Sequence, residues 1–238
     1  MHVVTTFNRA GLELYGKRMI ETQTRHWPAG VPLVLYAEGF RTSDSRDLSD
    51  IGWLQDFKFR HRERYAADFR YDAVRFAHKT AAVIDSGLRD LDRFLIWADG
   101  DTFTHAALPL AVLESWTPRD GEYLSWLWRS HTYPECGFYI LDTWHPQHGQ
   151  LMKRWRWLYE TDAVYNLQEQ HDSFVLAHLV KEMGLRWRSL SGEFENTGHP
   201  FVNGPLGQYM DHLKGPRKQL GRSKPADLQR RRNEAHWK

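Results

Sequence analysis

The chain has 238 residues, of which 41% are hydrophobic and 26% are charged, a composition typical of one soluble domain. A chain of this length can bury a sizeable core without disulfides or structural metals. The single cysteine, Cys136, excludes an intrachain disulfide and favours a reducing compartment. The first residues lack a signal-peptide pattern, and no segment approaches the ~20 apolar residues of a membrane span, so we expect a cytoplasmic protein without an integral membrane segment.

Charge is distributed unevenly along the chain. Residues 214–238 hold nine of the 32 Lys and Arg but only two of the 30 Asp and Glu, so they carry +7, whereas residues 1–213 carry −5. We therefore divide the chain into a main domain at residues 1–213 and a basic C-terminal extension at residues 214–238. A basic extension on an acidic domain indicates contact with polyanions or with a diphosphate, and a solvated tail is the alternative.

Apolar runs separated by turn signals predict alternating strands and helices. A strand at 2–7, a helix at 12–26 and a strand at 32–37 form a βαβ pattern, which indicates an α/β fold with a mostly parallel sheet flanked by helices. Residues 39–60 are predicted to be loop with short elements, and the last 20 residues an appended helix or disordered. The remaining elements are predicted from periodicity: helices at 62–86 (with Gly87 as C-cap), 106–115, 147–159 and 173–183, and strands at 93–98, 122–128 and 137–141.

Two carboxylates follow the most apolar of these strands. Asp99 and Asp101 flank Gly100 directly after the 93–98 run. In an open α/β sheet, ligands bind at the carboxyl ends of the strands, and two aspartates on a tight turn there offer hard oxygen ligands to Mg²⁺ or Mn²⁺. Such a metal would neutralise a bound diphosphate and stabilise it as a leaving group. The alternative is an ordinary Asp-Gly turn after a strand.

A second polar group occurs late in the chain, where His212, Gly215 and Lys218 form a His-x-x-Gly-x-x-Lys pattern. A neutral imidazole can complete a Mn²⁺ site begun by carboxylates, and glycine lets the backbone approach a ligand closely. The lysine can contact a phosphate as a point charge. The alternative is a basic tail that contains a histidine and a glycine without a ligand.

Together the two patterns resemble the GT-A-fold glycosyltransferases that use nucleotide sugars, in particular the retaining group that includes glycogenin and the lipooligosaccharide galactosyltransferases. The resemblance spans roughly residues 2–222. It implies a GT-A (Rossmann-like) single domain and a hexosyl- or pentosyltransferase that takes its sugar from a UDP-sugar with retention of configuration. It also implies that Asp99, Asp101 and His212 bind Mn²⁺ or Mg²⁺. Gly215 and Lys218 would contact the nucleotide-sugar donor.

Three further stretches extend this resemblance. Gln170, His171 and Asp172 stand where the family has Asp-Gln-Asp close to the anomeric carbon, which makes them candidate catalytic residues. Only Asp172 matches in type, and an N-cap of the following helix is its alternative role. Lys79 lies on the helix before the Asp-x-Asp strand, where it can contact the diphosphate or remain solvated. The end of the first strand, which holds the nucleoside in the family, corresponds to Thr5, Thr6, Phe7 and Asn8.

Residues 209–221 look like a branch of this superfamily that is often met in phage and bacterial genomes. Residues 153–157 and 186–188 interleave Arg with Trp, which can contact phosphates and stack on bases or sugars; amphipathic packing with buried Trp is the alternative. Combined with the basic extension, these segments predict DNA as a partner and a 5-hydroxymethylpyrimidine base, such as 5-hydroxymethylcytosine, as the acceptor. Such a base would have to be flipped out of a duplex. A phage-encoded enzyme would act in the host cytoplasm.

Two alternatives to a DNA acceptor stay open. The acceptor can be a cell-surface glycan or a lipid-linked sugar, in which case the basic extension would lie on an anionic membrane surface. The chain can also be a non-catalytic nucleic-acid-binding protein on a transferase fold. The intact Asp-x-Asp and the late histidine argue against pure binding, because a binding protein needs neither.

The stretch at residues 135–137 precedes a strand, where an equivalent turn borders the donor sugar in the superfamily; a structural strand entrance is the alternative. Cys136 with His145 or His171 would suggest a cysteine protease, but nothing near it predicts an oxyanion hole. Cys136 with His145 and His148 supplies too few ligands for a structural zinc site.

Overall fold

The computed structural model describes residues 1–238 and contains nine strands and nine α-helices. The strands are β1 (His2–Asn8), β2 (Leu33–Glu38), β3 (Ser45–Asp47), β4 (Phe94–Ala98), β5 (Thr102–Thr104), β6 (Leu124–Leu127), β7 (Glu135–Asp142), β8 (Trp187–Ser189) and β9 (Met210–His212). The helices are α1 (Arg9–Gly11), α2 (Lys17–His26), α3 (Gly52–Arg60), α4 (Ala73–Arg89), α5 (Leu110–Ser115), α6 (His148–Glu160), α7 (Asp172–Glu182), α8 (Pro200–Asn203) and α9 (Arg217–Leu220). A π-helical stretch, Leu12–Gly16, joins α1 to α2.

Seven strands form the central sheet in the order β3-β2-β1-β4-β7-β6-β8. The pairs β1–β2, β1–β4, β2–β3 and β6–β8 are parallel, and β7 runs antiparallel to both β4 and β6. The strands β5 and β9 form a separate two-stranded antiparallel sheet. This arrangement confirms the predicted single α/β domain with a mixed, mostly parallel sheet flanked by helices.

Both faces of the central sheet are buried, because successive side chains of a strand point to opposite faces. In β4, Leu95 and Trp97 belong to one hydrophobic cluster, with residues of α3, α4, α6 and α7, while Ile96 and Ala98 belong to a second cluster on the other face, with residues of α2, α5 and α8. This two-sided burial explains why β4 reads as an uninterrupted apolar run. None of the helices combines the length and apolarity needed to cross a membrane.

The structure corrects several predicted boundaries. The helix predicted from residue 62 begins at Ala73, because Asp72 accepts a hydrogen bond from the Arg75 N–H as its N-cap, and Asp68 caps a separate 3₁₀ turn before it. Gly87 is not a C-cap, since α4 continues to Arg89. Its missing side chain instead makes room for His148, whose ring lies 3.1 Å from where a Cβ would stand.

Other differences concern short or weakly patterned elements. Residues 39–60, predicted mainly as loop, contain β3 and the nine-residue helix α3. Trp53, Leu54 and Phe57 of α3 are buried against α4 and α6. The helix predicted at 106–115 begins only at Leu110, after Pro109. The three-residue strands β5, β8 and β9 carry too few residues for a periodic signal, so the sequence did not predict them.

The end of the chain packs on the domain through short turns rather than as an appended helix. In this segment, residues 222–238, which we call the C-terminal strap, the buried Arg232 guanidinium donates to the carbonyls of Val202, Asn203 and Gly204 at 2.9, 3.1 and 3.2 Å. The Trp237 indole N–H donates to a further backbone carbonyl at 2.8 Å. The strap is therefore held by specific hydrogen bonds to the α8 region.

We expect Arg232→Met to lower the free energy of unfolding by about 1–3 kcal/mol, because it removes the guanidinium that donates to three buried carbonyls. The neighbouring Arg231 is exposed, so Arg231→Met is the matched control and should change stability by less than about 0.5 kcal/mol. Urea unfolding of the two variants and the wild type measures the difference. Equal stability of all three would show that the strap does not contribute to the fold.

Candidate metal and donor site

The β5–β9 pairing brings together residues that are far apart in sequence. Asp99 and Asp101 lie in the turn between β4 and β5, and His212 is the last residue of β9. Thr102 pairs with His212 in the antiparallel register, and the Leu213 N–H donates to the Asp101 carbonyl at 2.9 Å. The late histidine therefore reaches the Asp-x-Asp turn through backbone pairing.

Three side chains converge at this turn. One ligand atom from each of Asp99, Asp101 and His212 can be chosen so that all three lie within 4.8 Å of one another. His212 Nε2 lies 3.2 Å from Asp101 Oδ1 and 3.6 Å from Asp99 Oδ2. Two carboxylates and one imidazole are donors that suit Mn²⁺ and, through the carboxylates, Mg²⁺. The donor set therefore fits a divalent metal.

A buried carboxylate orients the imidazole from the opposite side. Glu135 Oε1 lies 3.1 Å from His212 Nδ1, 3.1 Å from His199 Nδ1 and 2.8 Å from Lys214 Nζ. An ionised carboxylate only accepts hydrogen bonds, so His212 Nδ1 carries a proton toward Glu135 and Nε2 faces the aspartates. A carboxylate behind a ligating histidine is the arrangement that fixes its tautomer and ring orientation in metal sites.

Electrostatics at the cluster favours a cation. Burial alone would lower the pKa of His212, but the negative charge of Asp101 and its hydrogen bond outweigh this and raise the pKa to about 9. Burial alone would raise the pKa of Glu135, yet Lys214 and the two histidines hold it well below the usual carboxylate range. The same negative potential that stabilises an imidazolium at His212 would stabilise a divalent ion there.

Lys79 connects the metal-ligand cluster to the candidate catalytic residue. Its buried ammonium lies 2.9 Å from Asp99 Oδ1, 2.6 Å from Asp172 Oδ2 and 2.5 Å from the Cys136 carbonyl. Burial alone would lower the pKa of Lys79, but the two aspartates outweigh it and raise the pKa above its ordinary value. All three donors of the ammonium are thus engaged within the protein by two carboxylates and a carbonyl, and contact of Lys79 with a diphosphate stays a prediction.

A cleft of about 540 Å³ opens above these residues. Five cations line it together with the two aspartates of the turn: Arg75, Lys79, Arg129, Lys214 and Lys218. Lys218 Nζ lies 2.9 Å from Asp101 Oδ2, and Gly215, with a φ of 55°, makes the turn that brings Lys218 back to the cleft. Cations beside a divalent-metal site are suited to a bound diphosphate.

The three consecutive candidate catalytic residues have different positions. Asp172 and His171 line the cleft, whereas Gln170 does not and donates to the Leu167 carbonyl at 2.8 Å. Both His171 nitrogens are engaged, since Nε2 lies 2.8 Å from Glu169 and Nδ1 accepts from the Phe174 N–H at 3.4 Å. His171 is therefore the N-cap of α7, the role considered for Asp172, and it leaves Asp172 free to meet Lys79.

The residues predicted to hold the nucleoside do not line this cleft. Thr6 Oγ1 donates to the Tyr36 carbonyl at 3.0 Å, and Asn8 Oδ1 accepts from the Gly11 N–H at 2.7 Å. Thr5 is fully buried, and Phe7 packs beneath the Asp-x-Asp turn, with its ring where a side chain on residue 100 would stand. Nucleoside contacts from Thr5, Thr6, Phe7 and Asn8 remain a prediction.

The alternatives built on Cys136 find no support. Burial raises the pKa of its thiol to about 12, so the side chain is not a ready nucleophile. His148 lies between the Tyr123 hydroxyl and the Gly87 carbonyl, at 2.9 and 2.8 Å. The structure contains one group of three His, Cys, Asp or Glu side chains close enough to share a metal, and neither Cys136 nor His145 belongs to it.

Sequence reasoning missed the most deeply buried part of the site. Glu135, in the stretch expected to border the donor sugar, holds His212 and His199, and no sequence signal identifies His199. Lys214 belonged to the counted charge of the extension without a local role, yet it neutralises Glu135. The charge of this segment was the only sequence signal at Lys214, and its contact with a diphosphate stays a prediction.

No family model matches the chain, and no curated protein matches it in sequence. Among solved structures, the chain is similar to the apo form of mouse xyloside xylosyltransferase 1, with 10% identity over 84% of this chain and 91% of that one and a TM-score of 0.49. It is also similar to the apo form of the glycosyltransferase GlyE of Streptococcus pneumoniae TIGR4, with 15% identity over 79% of this chain and a TM-score of 0.48. The match spans 44% of the GlyE chain. At this level of similarity, function has to follow from the side chains of the site.

We expect Gly137→Ala to weaken Mn²⁺ binding about 10–100-fold, the usual effect of disturbing the groups that orient a metal ligand. A Cβ at residue 137 would overlap the His212 ring, 2.6 Å from Nδ1, and push the imidazole away from Asp101. Gly149→Ala is the matched control, because nothing lies within 4 Å of its Cβ position. Titration calorimetry with Mn²⁺ measures both; equal affinity of Gly137→Ala and wild type would exclude His212 as a ligand.

Proposed function

We propose that this chain is a metal-dependent glycosyltransferase, which moves a sugar from a nucleotide diphosphate donor to an acceptor hydroxyl. One observation carries the proposal: a carboxylate–carboxylate–imidazole cluster lies in a cleft that is also lined by lysines and arginines. Carboxylates with imidazole suit a divalent ion, whereas the surrounding cations suit phosphate oxygens. A site that combines the two is suited to a metal-bound diphosphate.

Different residues of the cleft would act on the diphosphate and on the sugar of the donor. A divalent ion held by Asp99, Asp101 and His212 would supply charge neutralisation for the leaving diphosphate. Lys218 and Lys214 supply further positive charge on the same side. Asp172, at the other end, is held ionised by Lys79, and its pKa is lowered although burial opposes this. This carboxylate is placed to accept hydrogen bonds from the donor sugar or to stabilise developing positive charge at its anomeric carbon.

In the transfer, the acceptor oxygen forms a bond to the anomeric carbon while the bond from that carbon to the diphosphate oxygen breaks. The electron pair of the broken bond leaves with the diphosphate, and the proton of the acceptor hydroxyl passes to the departing oxygen. We propose a UDP-sugar as donor and retention of anomeric configuration, both on the resemblance of the Asp-x-Asp and His-x-x-Gly-x-x-Lys patterns. Proton NMR of the product anomer tests the stereochemistry.

The acceptor predicted from sequence, a 5-hydroxymethylpyrimidine in DNA, is one candidate, and a glycan is the alternative. The DNA candidate rests on the cations of the extension and on the Arg/Trp segments. Trp155 of the first segment is buried and Arg154 pairs with Glu182, as amphipathic packing predicts. Five of the nine extension cations are engaged within the protein: Lys214, Arg217, Lys218, Arg230 and Arg232. Four exposed cations without an ion pair support DNA contact: Arg222, Lys224, Arg231 and Lys238.

We expect Asp101→Asn to lower the rate of UDP release from a panel of UDP-sugars by at least about 100-fold in Mn²⁺, because it removes a charged ligand of the metal site. EDTA should stop turnover of the wild type, and added Mn²⁺ should restore it. Asp120→Asn, at an exposed turn, is the matched control and should retain full activity.

Activity that survives both EDTA and Asp101→Asn would remove the metal-dependent mechanism. If no UDP-sugar is turned over but Mn²⁺ binds normally, the donor carries a nucleotide other than UDP. Absence of turnover without Mn²⁺ binding would favour the non-catalytic binding protein.

If DNA is the acceptor, an oligonucleotide containing 5-hydroxymethylcytosine should stimulate UDP release, and the unmodified oligonucleotide should not. Exchanging Arg222, Lys224 and Arg231 for Gln should then reduce the dependence of binding on salt concentration by roughly three released counterions. Unchanged salt dependence, or stimulation by glycans but not by modified DNA, would contradict the DNA acceptor.

A further inference from the structure

A second concave surface lies beside the cleft and has no role in the donor chemistry. This aromatic groove has a volume of about 780 Å³, within the range of small-molecule sites. Trp128 and Trp187 form one wall, with ring centroids 4.7 Å apart, and Trp126 packs against Trp128 at 5.8 Å. Trp187, on the edge strand β8, is 36% exposed.

The groove adjoins the cleft described above. Tyr133 lines both, and its ring lies 4.2 Å from the ring of His171, which lines the cleft beside Asp172. Glu169 lines the groove and holds His171 Nε2 at 2.8 Å. The groove therefore meets the cleft beside His171 and Asp172. A molecule in the groove would approach the donor from the side of its sugar rather than from its diphosphate.

We propose that the aromatic groove binds the acceptor, and that the acceptor is a saccharide whose ring packs on Trp187 and Trp128. This inference rests on the proposed glycosyltransferase function and names its acceptor class. The C–H faces of a pyranose pack on indole rings, while its hydroxyls need hydrogen-bond partners at the edge of the site. The groove offers such partners beside the aromatic wall: Thr132, Gln168, Glu169 and His178.

Charge distinguishes a saccharide from a nucleic acid. Among the residues that line the groove, Lys181 is the only Lys or Arg, and Glu169 places a carboxylate at the junction with the cleft. A nucleic-acid track combines aromatic platforms with a row of cations that follow the phosphates, and a carboxylate opposes it. The nearby Arg129 is engaged by the backbone, since its Nε–H donates to the Tyr133 carbonyl oxygen at 2.9 Å. An uncharged, hydroxyl-rich ring is the occupant that matches these groups.

Binding without donor tests the groove independently of catalysis. We would measure dissociation constants for a panel of nitrophenyl glycosides (glucoside, galactoside and xyloside) by saturation-transfer difference NMR, with nitrophenol as the control for the aryl group. At least one glycoside should bind the wild type more tightly than nitrophenol does. Trp187→Ala should weaken that binding about five- to tenfold, and Trp187→Phe should retain most of it. Trp144→Ala is the matched control, since Trp144 is 68% exposed and lies outside the groove.

The kinetic counterpart separates this inference from the function on which it rests. Trp187→Ala should raise KM for the glycoside by the same factor, whereas the control Trp144→Ala should leave that KM and metal-dependent donor hydrolysis unchanged. If the wild type does not hydrolyse any donor, the proposed function is overturned. Glycoside binding is measured without a donor, so it tests the groove separately from that function. The groove assignment is overturned if no glycoside binds, if Trp187→Ala binds like the wild type, or if Trp187→Ala weakens a 5-hydroxymethylcytosine oligonucleotide in place of the glycosides.

Discussion

The pairing of β9 with β5 is the constraint on which the site depends. It is a three-residue ladder outside the main sheet, and it alone carries His212 to the Asp-x-Asp turn. A ladder this short supplies few backbone hydrogen bonds, so its position has to be fixed from both sides. Glu135 holds the imidazole from β7, and Asp211 accepts hydrogen bonds from the Ser223 N–H at 2.9 Å and from its hydroxyl at 2.6 Å. The hydrogen bonds of Glu135 and Asp211 thus hold in place a ladder that has few backbone hydrogen bonds of its own.

More of the cations of the basic extension bind groups of the protein itself than are free at its surface. Lys214 neutralises a buried glutamate, Lys218 faces an aspartate of the cleft, and Arg232 satisfies carbonyls near α8. A count of net charge cannot distinguish such buried partners from a surface that attracts polyanions, because both uses give the same sum. Five of the nine cations of the extension pair with carboxylates of the protein, and its division from the main domain stays a prediction.

The sequence predicted what local patterns encode. The parallel sheet, its flanking helices and the Asp99, Asp101, His212 grouping could be anticipated, because apolar runs and short motifs mark them. The start of α4 was wrong since two aspartate caps, at residues 68 and 72, override a longer apolar period. Glu135 and His199 could not be found, because their roles arise from burial and pairing across the chain. The fold was therefore more predictable than the support behind the metal ligands.

Lys79 couples the charges of two carboxylates in the cleft, Asp99 and Asp172. One ammonium is shared by Asp99, one of the three candidate metal ligands, and Asp172, the candidate catalytic carboxylate. Removing either carboxylate changes the charge balance that holds the other, so the free-energy effects of variants at the two positions will not add. A double-mutant cycle between them would report a coupling energy transmitted through a single buried nitrogen. Neither end of the cleft can thus change its charge without altering the other.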